Sequence, residues 1–298
     1  MKVFAVIVTF NGKKWLDRCF SSLRASSVPM EVIVVDNGSK DNTVNYLKEN
    51  YPEVNITVSE DNLGFAKANN LGIKQAVDGG ADYVFLLNQD AWIEENTVSE
   101  LIRSFTETEG VGIAAPMQLN GASTGLDFIF TSYLPGDFIS DLYMNQIKDY
   151  YVLPFVNAAG WMVSTECINR VGGFNTSLFY HYGEDVNYCQ RVYYHGFKLV
   201  LNTRCSFCHD REYRLNSEKE YRNSILKKSP FYKENILYGN INESFDIKAL
   251  RKKEYRKALM SCLLLSSTKL HRHIGLLRQY SVIEESRAID TQGGFVWL

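Results

Sequence analysis

The sequence predicts an α/β fold with a parallel, doubly wound sheet. Over the first ninety residues, runs typical of buried parallel strands alternate with segments whose apolar residues recur at helical spacing. This βαβαβαβ order places helices on both faces of the sheet. The predicted strands are residues 3–9, 31–35, 55–59 and 83–87. The predicted helices between them are residues 11–26, 41–50 and 65–77.

The pattern becomes less regular after residue 90. Helices are predicted at 95–105, 165–171 and 184–195, and strands at 111–116, 155–164 and 198–201. Residues 118–150 are aromatic-rich and are predicted to be irregular. From about residue 213 onward the chain is predicted to be helical.

Composition excludes several classes of protein. The 298 residues are 45% hydrophobic and 13% aromatic, which is ample for a core and excludes a wholly disordered chain. The net charge of −2 argues against a nucleic-acid partner, whose binders are usually basic. No apolar run approaches the ~18–20 residues of a membrane span, and the apolar start resembles a strand rather than a signal peptide, so we expect a cytoplasmic location. Six cysteines are too few for a disulfide scaffold.

Each N-terminal strand is followed by a polar segment. These segments are Thr9-Phe10-Asn11-Gly12, Asp36-Asn37-Gly38-Ser39, Asp61-Asn62-Leu63-Gly64-Phe65-Ala66-Lys67 and Asn88-Gln89-Asp90. Because ligands of open parallel sheets bind at the carboxyl ends of the strands, four polar ends together indicate a binding site, although each alone could be a turn or helix cap. Asp36 suits a ribose hydroxyl or base N–H, Lys67 a phosphate, and Asp90 a Mg²⁺ or Mn²⁺ ion. Neither a dinucleotide fingerprint nor a P-loop is present.

Five segments occur in a specific order across about residues 1–240. They are VIVTFN, VVDNGSKDNT, NLGFAKANN, LLNQD and GGFNTSLFYHYGEDVNYCQRVYYHGF. Together they resemble the large second family of inverting glycosyltransferases, which have a GT-A fold and use nucleotide-activated sugars. The form with NxGFAxANN and a late YRN is similar to bacterial rhamnosyl- and galactofuranosyltransferases. The resemblance implies a catalytic domain at 1–212, with a nucleotide-sugar half at 1–90 and an acceptor half at 91–212, and a C-terminal helical region at 213–298.

The resemblance also implies a donor site and a metal site. The residues expected to bind the nucleotide sugar are Thr9, Asn11, Asp36, Asn62, Lys67, Asn88, Gln89 and Arg222. Asn88-Gln89-Asp90 stands where the family has its DxD-type motif, with Asn in place of the first acid. Asp90 and His209, which follows Asp185 by 24 residues, would hold Mg²⁺ or Mn²⁺.

Glu184 and Asp185 match the acidic pair of the family, in which Asp185 would be the catalytic base. A sugar hydroxyl is a weak nucleophile, so a carboxylate must take its proton, while a cation stabilises the departing diphosphate. Glu184 is the alternative base or a ligand of the acceptor, and Gly160 and Trp161 are expected to border the acceptor. Without the other motifs, the two acids could merely complement the dipole of a helix.

These expectations describe an inverting, metal-dependent glycosyltransferase with a UDP- or dTDP-sugar donor, of rhamnose or galactose type, and a saccharide or lipid-linked acceptor. Two other classes stay open: a sugar nucleotidyltransferase and a catalytically inactive glycan-binding protein. The run Cys205-Ser-Phe-Cys208-His209 also matches the attachment signature of c-type haem or half of a zinc site. We favour the interpretation of two small buried cysteines beside a functional histidine.

The segment 248–278 carries nine Lys or Arg residues and one acid, a local charge of +8. Its residues Leu259, Leu263, Leu270, Ile274 and Leu277 fall near one helical face. Charge and apolar stripe together predict peripheral contact with the inner face of the plasma membrane. The alternative is that the stripe packs on the catalytic domain or in a homodimer.

Overall fold

The computed structural model describes residues 1–180, 182–211, 229 and 231–298. The strands are β1 (Val3–Thr9), β2 (Glu31–Asp36), β3 (Asn55–Val58), β4 (Tyr83–Leu87), β5 (Ala91–Ile93), β6 (Val111–Asn120), β7 (Tyr150–Val152), β8 (Gly160–Ser164) and β9 (Lys198–His209). The helices are α1 (Leu16–Arg24), α2 (Thr43–Asn50), α3 (Phe65–Asp78), α4 (Thr97–Glu107), α5 (Phe128–Thr131), α6 (Gly136–Tyr143), α7 (Thr165–Val171), α8 (Glu184–Tyr194), α9 (Tyr232–Gly239), α10 (Ile247–Leu263) and α11 (Ser267–Gln292). The strands form one sheet in the order β3-β2-β1-β4-β8-β6-β9-β5, and β7 also pairs with β9.

The first four strands form a parallel half, as predicted. β1 pairs with β2 and β4, and β2 pairs with β3, all in parallel register. Successive side chains of β1 enter different cores: Val6 packs in the cluster that contains Ile73 of α3, and Ile7 in the cluster that contains Phe20 of α1. Helices thus cover both faces, and the carboxyl ends of β1, β2 and β4 open at the same edge of the sheet.

The second half of the sheet is mixed, so the expectation of parallel strands holds only for the first half. β8 lies between β4 and β6 and runs antiparallel to both. β9 is parallel to β6 and antiparallel to β5 and β7. The three-residue β5 was not predicted because a segment so short has no readable period. It pairs with the end of β9, which places Ala91 opposite His209.

Several predicted elements have other bounds. The helix predicted at 11–26 is a 3-10 helix at Lys13–Trp15 followed by α1, because Asn11 has a φ of 47° and its Oδ1 accepts the N–H of Lys40 at 2.8 Å. The strand predicted at 155–164 begins only at Gly160. The strand predicted at 198–201 extends to His209.

Residues 118–150 differ from the sequence prediction, whereas the described C-terminal residues agree with it. Residues 118–150, expected to be irregular, hold the end of β6, two short helices and β7. α9, α10 and α11 agree with the helical prediction for the C-terminal part, of which residues 212–228 and 230 lie outside the described residues. The boundary proposed at residue 212 stays a prediction.

A buried ion pair fastens α11 to α8. The Nε of Arg191 lies 3.0 Å from Oδ1 of Asp290, and both side chains are fully buried. The guanidinium also donates to the carbonyls of Gly173, at 2.6 Å, and Val171. Asp290 accepts in addition from Nδ2 of Asn175 at 3.1 Å. Because the charges are paired and hydrogen-bonded, the cost of burying them is offset.

We expect Asp290→Ala to lower the free energy of unfolding by about 3–5 kcal/mol, because Arg191 would be left buried without its counter-charge. Urea denaturation followed by circular dichroism measures this loss. The matched control is Glu53→Ala, which removes the half-exposed pair between Glu53 and Arg24 and should cost less than about 1 kcal/mol. Equal losses in the two variants would contradict the anchoring role of Asp290.

Candidate active site

The ends of β1 and β2 are joined by a buried carboxylate. Asp36 is fully buried, and its Oδ2 accepts the hydroxyls of Thr9 at 2.9 Å and Ser39 at 2.5 Å. Its Oδ1 accepts the N–H of Ser39 at 3.0 Å. The N–H of Asn11 donates to the Ser39 hydroxyl at 2.9 Å. Asp36 therefore fixes the two polar loops relative to each other.

Gln89 joins the end of β4 to the loop after β1. Its Oε1 accepts the N–H of Phe10 at 2.9 Å, and its Nε2 donates to the Phe10 carbonyl at 3.1 Å. A Cβ at Gly12 would lie 1.9 Å from Oε1 of Gln89, so only glycine permits this approach. The side-chain amide of Gln89 thus organises the strand ends of the sheet.

Asp90 and His209 meet because β5 pairs with the end of β9. Nε2 of His209 lies 3.3 Å from Oδ1 of Asp90, and the two side chains are 1% and 5% exposed. Nδ2 of Asn88 lies 3.4 Å from the same Nε2. On the other side of the ring, Nε of Arg211 donates to Nδ1 of His209 at 3.0 Å.

A cavity of about 480 Å³ opens beside this cluster. Asn88 and His209 line it from the sheet, Glu184 and Asp185 from the start of α8, and Arg211 from the chain after β9. Residues that are far apart in sequence, and that the motifs placed in one site, therefore share one concave surface of the size that small ligands occupy.

A strained turn directly precedes the two carboxylates that line the cavity from the start of α8. Tyr182 has a φ of 69° and Gly183 a φ of 97°, directly before the first residue of α8. A Cβ at Gly183 would lie 2.8 Å from the ring of Phe179 and 2.9 Å from that of Tyr232, so a side chain there meets both backbone strain and steric conflict. Strain of this kind is typical of functional sites.

The carboxylates are held in an environment that disfavours their charge. Burial raises the pKa of Glu184, and the neighbouring charge of Asp185 raises it further. Burial also raises the pKa of Asp185, but the backbone N–H groups of Val186 and Ala158 oppose this rise. Oε2 of Glu184 is buried and has no hydrogen-bond partner within the described residues. Asp185, which is more exposed and better supported by backbone donors, is the group that ionises first.

The other predicted site residues lie apart from this cavity. Lys67 is exposed in the first turn of α3, and Asn62 is held in its loop by Nδ2 of Asn37, which donates to its Oδ1 at 3.0 Å. Gly160 and Trp161 are buried on β8, where Trp161 stacks on Phe174, and neither lines the cavity. Their assignment to the acceptor stays a prediction.

Arg222 lies outside the described residues, so its predicted contact with the donor stays a prediction.

Arg211 and Asn157 line the cavity but were not found as site residues from the sequence. Arg211 lines it and also pairs with Asp127, with Nε 3.2 Å from Oδ2. Oδ1 of Asn157 is buried there without a hydrogen-bond partner among the described residues. The only sequence signal for Arg211 is its place two residues after His209. Asn157 carries none, because tertiary folding alone brings it to the cavity.

Asp90 and His209 fit a divalent cation as a pair of ligands. A carboxylate oxygen and an imidazole nitrogen close together suit Mn²⁺ as well as Mg²⁺. In the part of the chain that the structure describes, no group of three His, Cys, Asp or Glu side chains could hold a metal ion. A cation at this pair would therefore take its remaining ligands from phosphate oxygens and water. The same finding gives no support to a zinc site at Cys205 and Cys208, both of which are buried.

Comparison with a solved structure identifies the fold. The chain matches the crystal structure of GalNAc-T7 with UDP, GalNAc and Mn²⁺ with a TM-score of 0.56, at 15% identity, over 70% of this chain and 44% of that chain. The architecture is the α/β GT-A fold of nucleotide-sugar transferases, followed here by C-terminal helices.

Sequence comparison gives the family. Residues 4–172 match the model of glycosyl transferase family 2, and the chain belongs to that family of transferases. The dTDP-rhamnosyl transferase RfbF of Shigella flexneri is 26% identical over 204 residues, 65% of this chain and 64% of that protein. The N-acetylglucosaminyl-diphospho-decaprenol L-rhamnosyltransferase of Mycobacterium tuberculosis is 24% identical over 216 residues, 63% of this chain and 69% of that protein. The matched region is thus less than two thirds of the length of the Shigella protein.

The raised pKa of Glu184 predicts a pH-dependent stability. A glutamate in the unfolded chain has a pKa of about 4.3. At pH values between this pKa and the raised pKa of Glu184 in the folded chain, the folded chain binds more protons than the unfolded chain does. The free energy of unfolding should therefore fall as pH rises through this interval, by at most about 1.4 kcal/mol per pH unit for one proton. Glu184→Gln should flatten the slope in urea denaturations at pH 5, 6, 7 and 8 by removing the carboxyl. An exposed control, Glu49→Gln, should keep the wild-type slope, and a wild-type slope in Glu184→Gln would refute this origin.

Proposed function

We propose that the protein transfers a sugar from a nucleotide diphosphate to an acceptor hydroxyl with inversion at the anomeric carbon, using Asp185 as the base and a divalent cation at Asp90 and His209. The observation that carries the proposal is that one cavity is lined by the two carboxylates at the start of α8 and by His209, the ring nitrogen of which faces Asp90. These are the two groups that glycosyl transfer needs: a proton acceptor and a site for developing phosphate charge.

The proposed chemistry is one displacement. The acceptor oxygen bonds to the anomeric carbon as its proton passes to a carboxylate oxygen of Asp185. The bond from that carbon to the diphosphate oxygen breaks, and the nucleotide diphosphate leaves with the electron pair. Attack on the face of the sugar opposite the departing diphosphate inverts the anomeric carbon.

The two carboxylates have different parts in this scheme. Asp185 is the better base because backbone N–H groups support its charge and because it is more exposed. Glu184 is 5% exposed and its pKa is raised further by Asp185, so it is suited to hold a proton and donate a hydrogen bond to a sugar oxygen. Its Oε2 and Oδ1 of Asn157, neither of which has a hydrogen-bond partner among the described residues, provide polar contacts for a saccharide.

The cation would supply charge stabilisation for the departing diphosphate. Asp90 and His209 would hold it, and Asn88 lines the cavity next to them. GalNAc-T7, a structural relative, was solved with UDP and Mn²⁺. Arg211 is in the cavity too, and its guanidinium would add positive charge close to the same phosphates.

The donor is proposed to be a dTDP- or UDP-activated hexose, with dTDP-rhamnose as the first to test. The two relatives described above are rhamnosyl transferases by name, and the name of one gives a sugar linked through diphosphate to decaprenol as its acceptor. We therefore propose a saccharide or lipid-linked saccharide acceptor and a role in the biosynthesis of a polysaccharide.

Substitution of the base should separate chemistry from binding. We expect Asp185→Asn to lower kcat by ~10²–10⁴-fold while donor affinity changes little, because the amide keeps the shape but cannot take a proton. Initial rates of transfer and a donor titration measure the two quantities. Glu184→Gln is the matched control and should retain more activity. If Asp185→Asn loses donor binding and keeps kcat, Asp185 is a binding residue and Glu184 becomes the candidate base.

A panel of nucleotide sugars should identify the donor and the need for metal. With Mn²⁺ or Mg²⁺ present, the true donor should raise the melting temperature, with a stabilisation of about 2.7 kcal/mol at a hundredfold excess over Kd. Excess EDTA should abolish both this stabilisation and transfer. Asp90→Asn should weaken the response, whereas Asp78→Asn, at an exposed carboxylate of α3, should leave it unchanged. Full transfer activity in EDTA would exclude the cation.

A further inference from the structure

The tip of the hairpin formed by α10 and α11 exposes a cluster of large apolar side chains. We define the hairpin tip as residues 259–265. Its exposed fractions are 49% for Leu259, 55% for Met260, 77% for Leu263, 71% for Leu264 and 92% for Leu265. Within the described residues nothing covers these side chains, so their apolar surface faces solvent in the isolated chain.

The backbone holds the tip in this outward arrangement. Leu265 has a φ of 51°, a region that glycine or asparagine normally occupies where a helix ends. The N–H groups of Leu265 and Ser266 donate to the carbonyls of Cys262, at 3.0 Å, and Ser261, at 2.9 Å, and close the turn. A leucine here gains no packing that would compensate for the strained backbone.

The residues of the apolar stripe that the sequence predicted along the segment 248–278 differ in their burial. Leu270 and Leu277 are half-buried, and the neighbouring Leu276 packs with Tyr280 in the cluster that joins α11 to the rest of the chain. Ile274 of the predicted stripe is 38% exposed, so the stripe as a whole is not packed against the rest of the chain. The three largest exposed apolar fractions of the segment, those of Leu263, Leu264 and Leu265, are at the hairpin tip.

Basic side chains flank the hairpin tip. Two of those in the segment are paired within the hairpin, Arg251 with Glu284 and Lys257 with Glu254. The others have no ion-pair partner among the described residues; they are Lys248, Lys252, Lys253, Arg256, Lys269, Arg272 and Arg278. Arg256 precedes Leu263 by seven residues, about 10 Å along the helix axis.

We infer that the hairpin tip inserts into the surface of an anionic lipid bilayer, with the flanking basic residues on the headgroups. Interfacial elements bury their apolar part by about 5–10 Å, so the leucines would reach the acyl boundary while Arg256 and Lys269 stay at the level of the phosphates. No helix within the described ranges is both long and apolar enough to cross a bilayer, so the contact is interfacial.

Charge distinguishes this partner from a second copy of the chain. Two copies of the segment 248–278, each with a local charge of +8, would repel each other if their tips met, whereas an anionic membrane surface attracts both. The inference does not depend on the proposed function, because lipid binding is measured without donor or acceptor.

Co-sedimentation of the full chain with vesicles tests the inference. We expect binding to vesicles of phosphatidylcholine mixed with phosphatidylglycerol and little binding to phosphatidylcholine alone. A triple variant, Leu263→Ser with Leu264→Ser and Leu265→Ser, should bind at least ~10-fold more weakly. The matched control is Ile139→Ser with Leu142→Ser and Met144→Ser, at exposed apolar residues of the α6 region, and should bind as the wild type does. Binding should also weaken in about 0.5 M salt, where screening is strong.

Cys262 offers a direct probe of insertion, since it is exposed while the other five cysteines are buried. A polarity-sensitive fluorophore on Cys262 should shift to the blue on addition of the anionic vesicles. In a control chain with Cys262→Ser and Lys48→Cys, the label lies on α2 and should show no shift. The label on Cys262 is attached to the chain without any substitution, so this measurement does not depend on how well the leucine variants fold.

Three results would overturn the inference. The first is wild-type vesicle binding by the triple leucine variant. The second is the absence of a spectral shift at Cys262 in the presence of bound vesicles. The third is a chain that ignores vesicles but sediments as a dimer, and becomes a monomer when the three leucines are replaced, which would assign the hairpin tip to contact between copies.

Discussion

The ion pair between Arg191 and Asp290 determines how the catalytic region and the C-terminal helices are joined. Arg191 is on α8, two turns after the carboxylates, and Asp290 is near the end of α11. Both are fully buried, so the pair cannot loosen without exposing charge to an apolar interior. The hairpin of α10 and α11 is consequently held in a defined position relative to the cavity, and a lipid surface at the hairpin tip would meet the cavity in a defined orientation.

A second junction strengthens this arrangement. Nδ2 of Asn70, on α3, donates to the carbonyls of Phe174, at 2.8 Å, and Trp297, at 2.9 Å, and its Oδ1 accepts the N–H of Phe174 at 2.7 Å. One amide therefore links the parallel half of the sheet, the loop that leads to α8 and the C-terminal residues. Asn70 ends the segment NLGFAKANN, in which Phe65 lines the cavity. That segment, interpreted from sequence as part of the donor site, also has a structural role.

Sequence patterns predicted the parallel half well because its strands and helices each carry their own period. They also indicated Asp90, His209, Glu184 and Asp185, through motifs that are local in the chain. The contact between Asp90 and His209 could not be predicted from a period, since it depends on the three-residue β5 and on β9 extending eight residues beyond its predicted end. Likewise, Arg211 and Asn157 enter the cavity only through tertiary folding, which leaves no pattern in the sequence.

The two ends of α8 have opposite effects on stability. At its start, the buried Glu184 and the half-buried Asp185 follow a turn with positive φ at Tyr182 and Gly183, an arrangement that costs folding free energy. Toward its end, the paired and hydrogen-bonded Arg191 fixes the same helix to α11 and to the loop around Gly173. A rigid helix can hold destabilising groups in place because its other contacts determine its position. The contacts around Arg191 thus allow Glu184 and Asp185 to keep an environment that raises the pKa of both carboxyls.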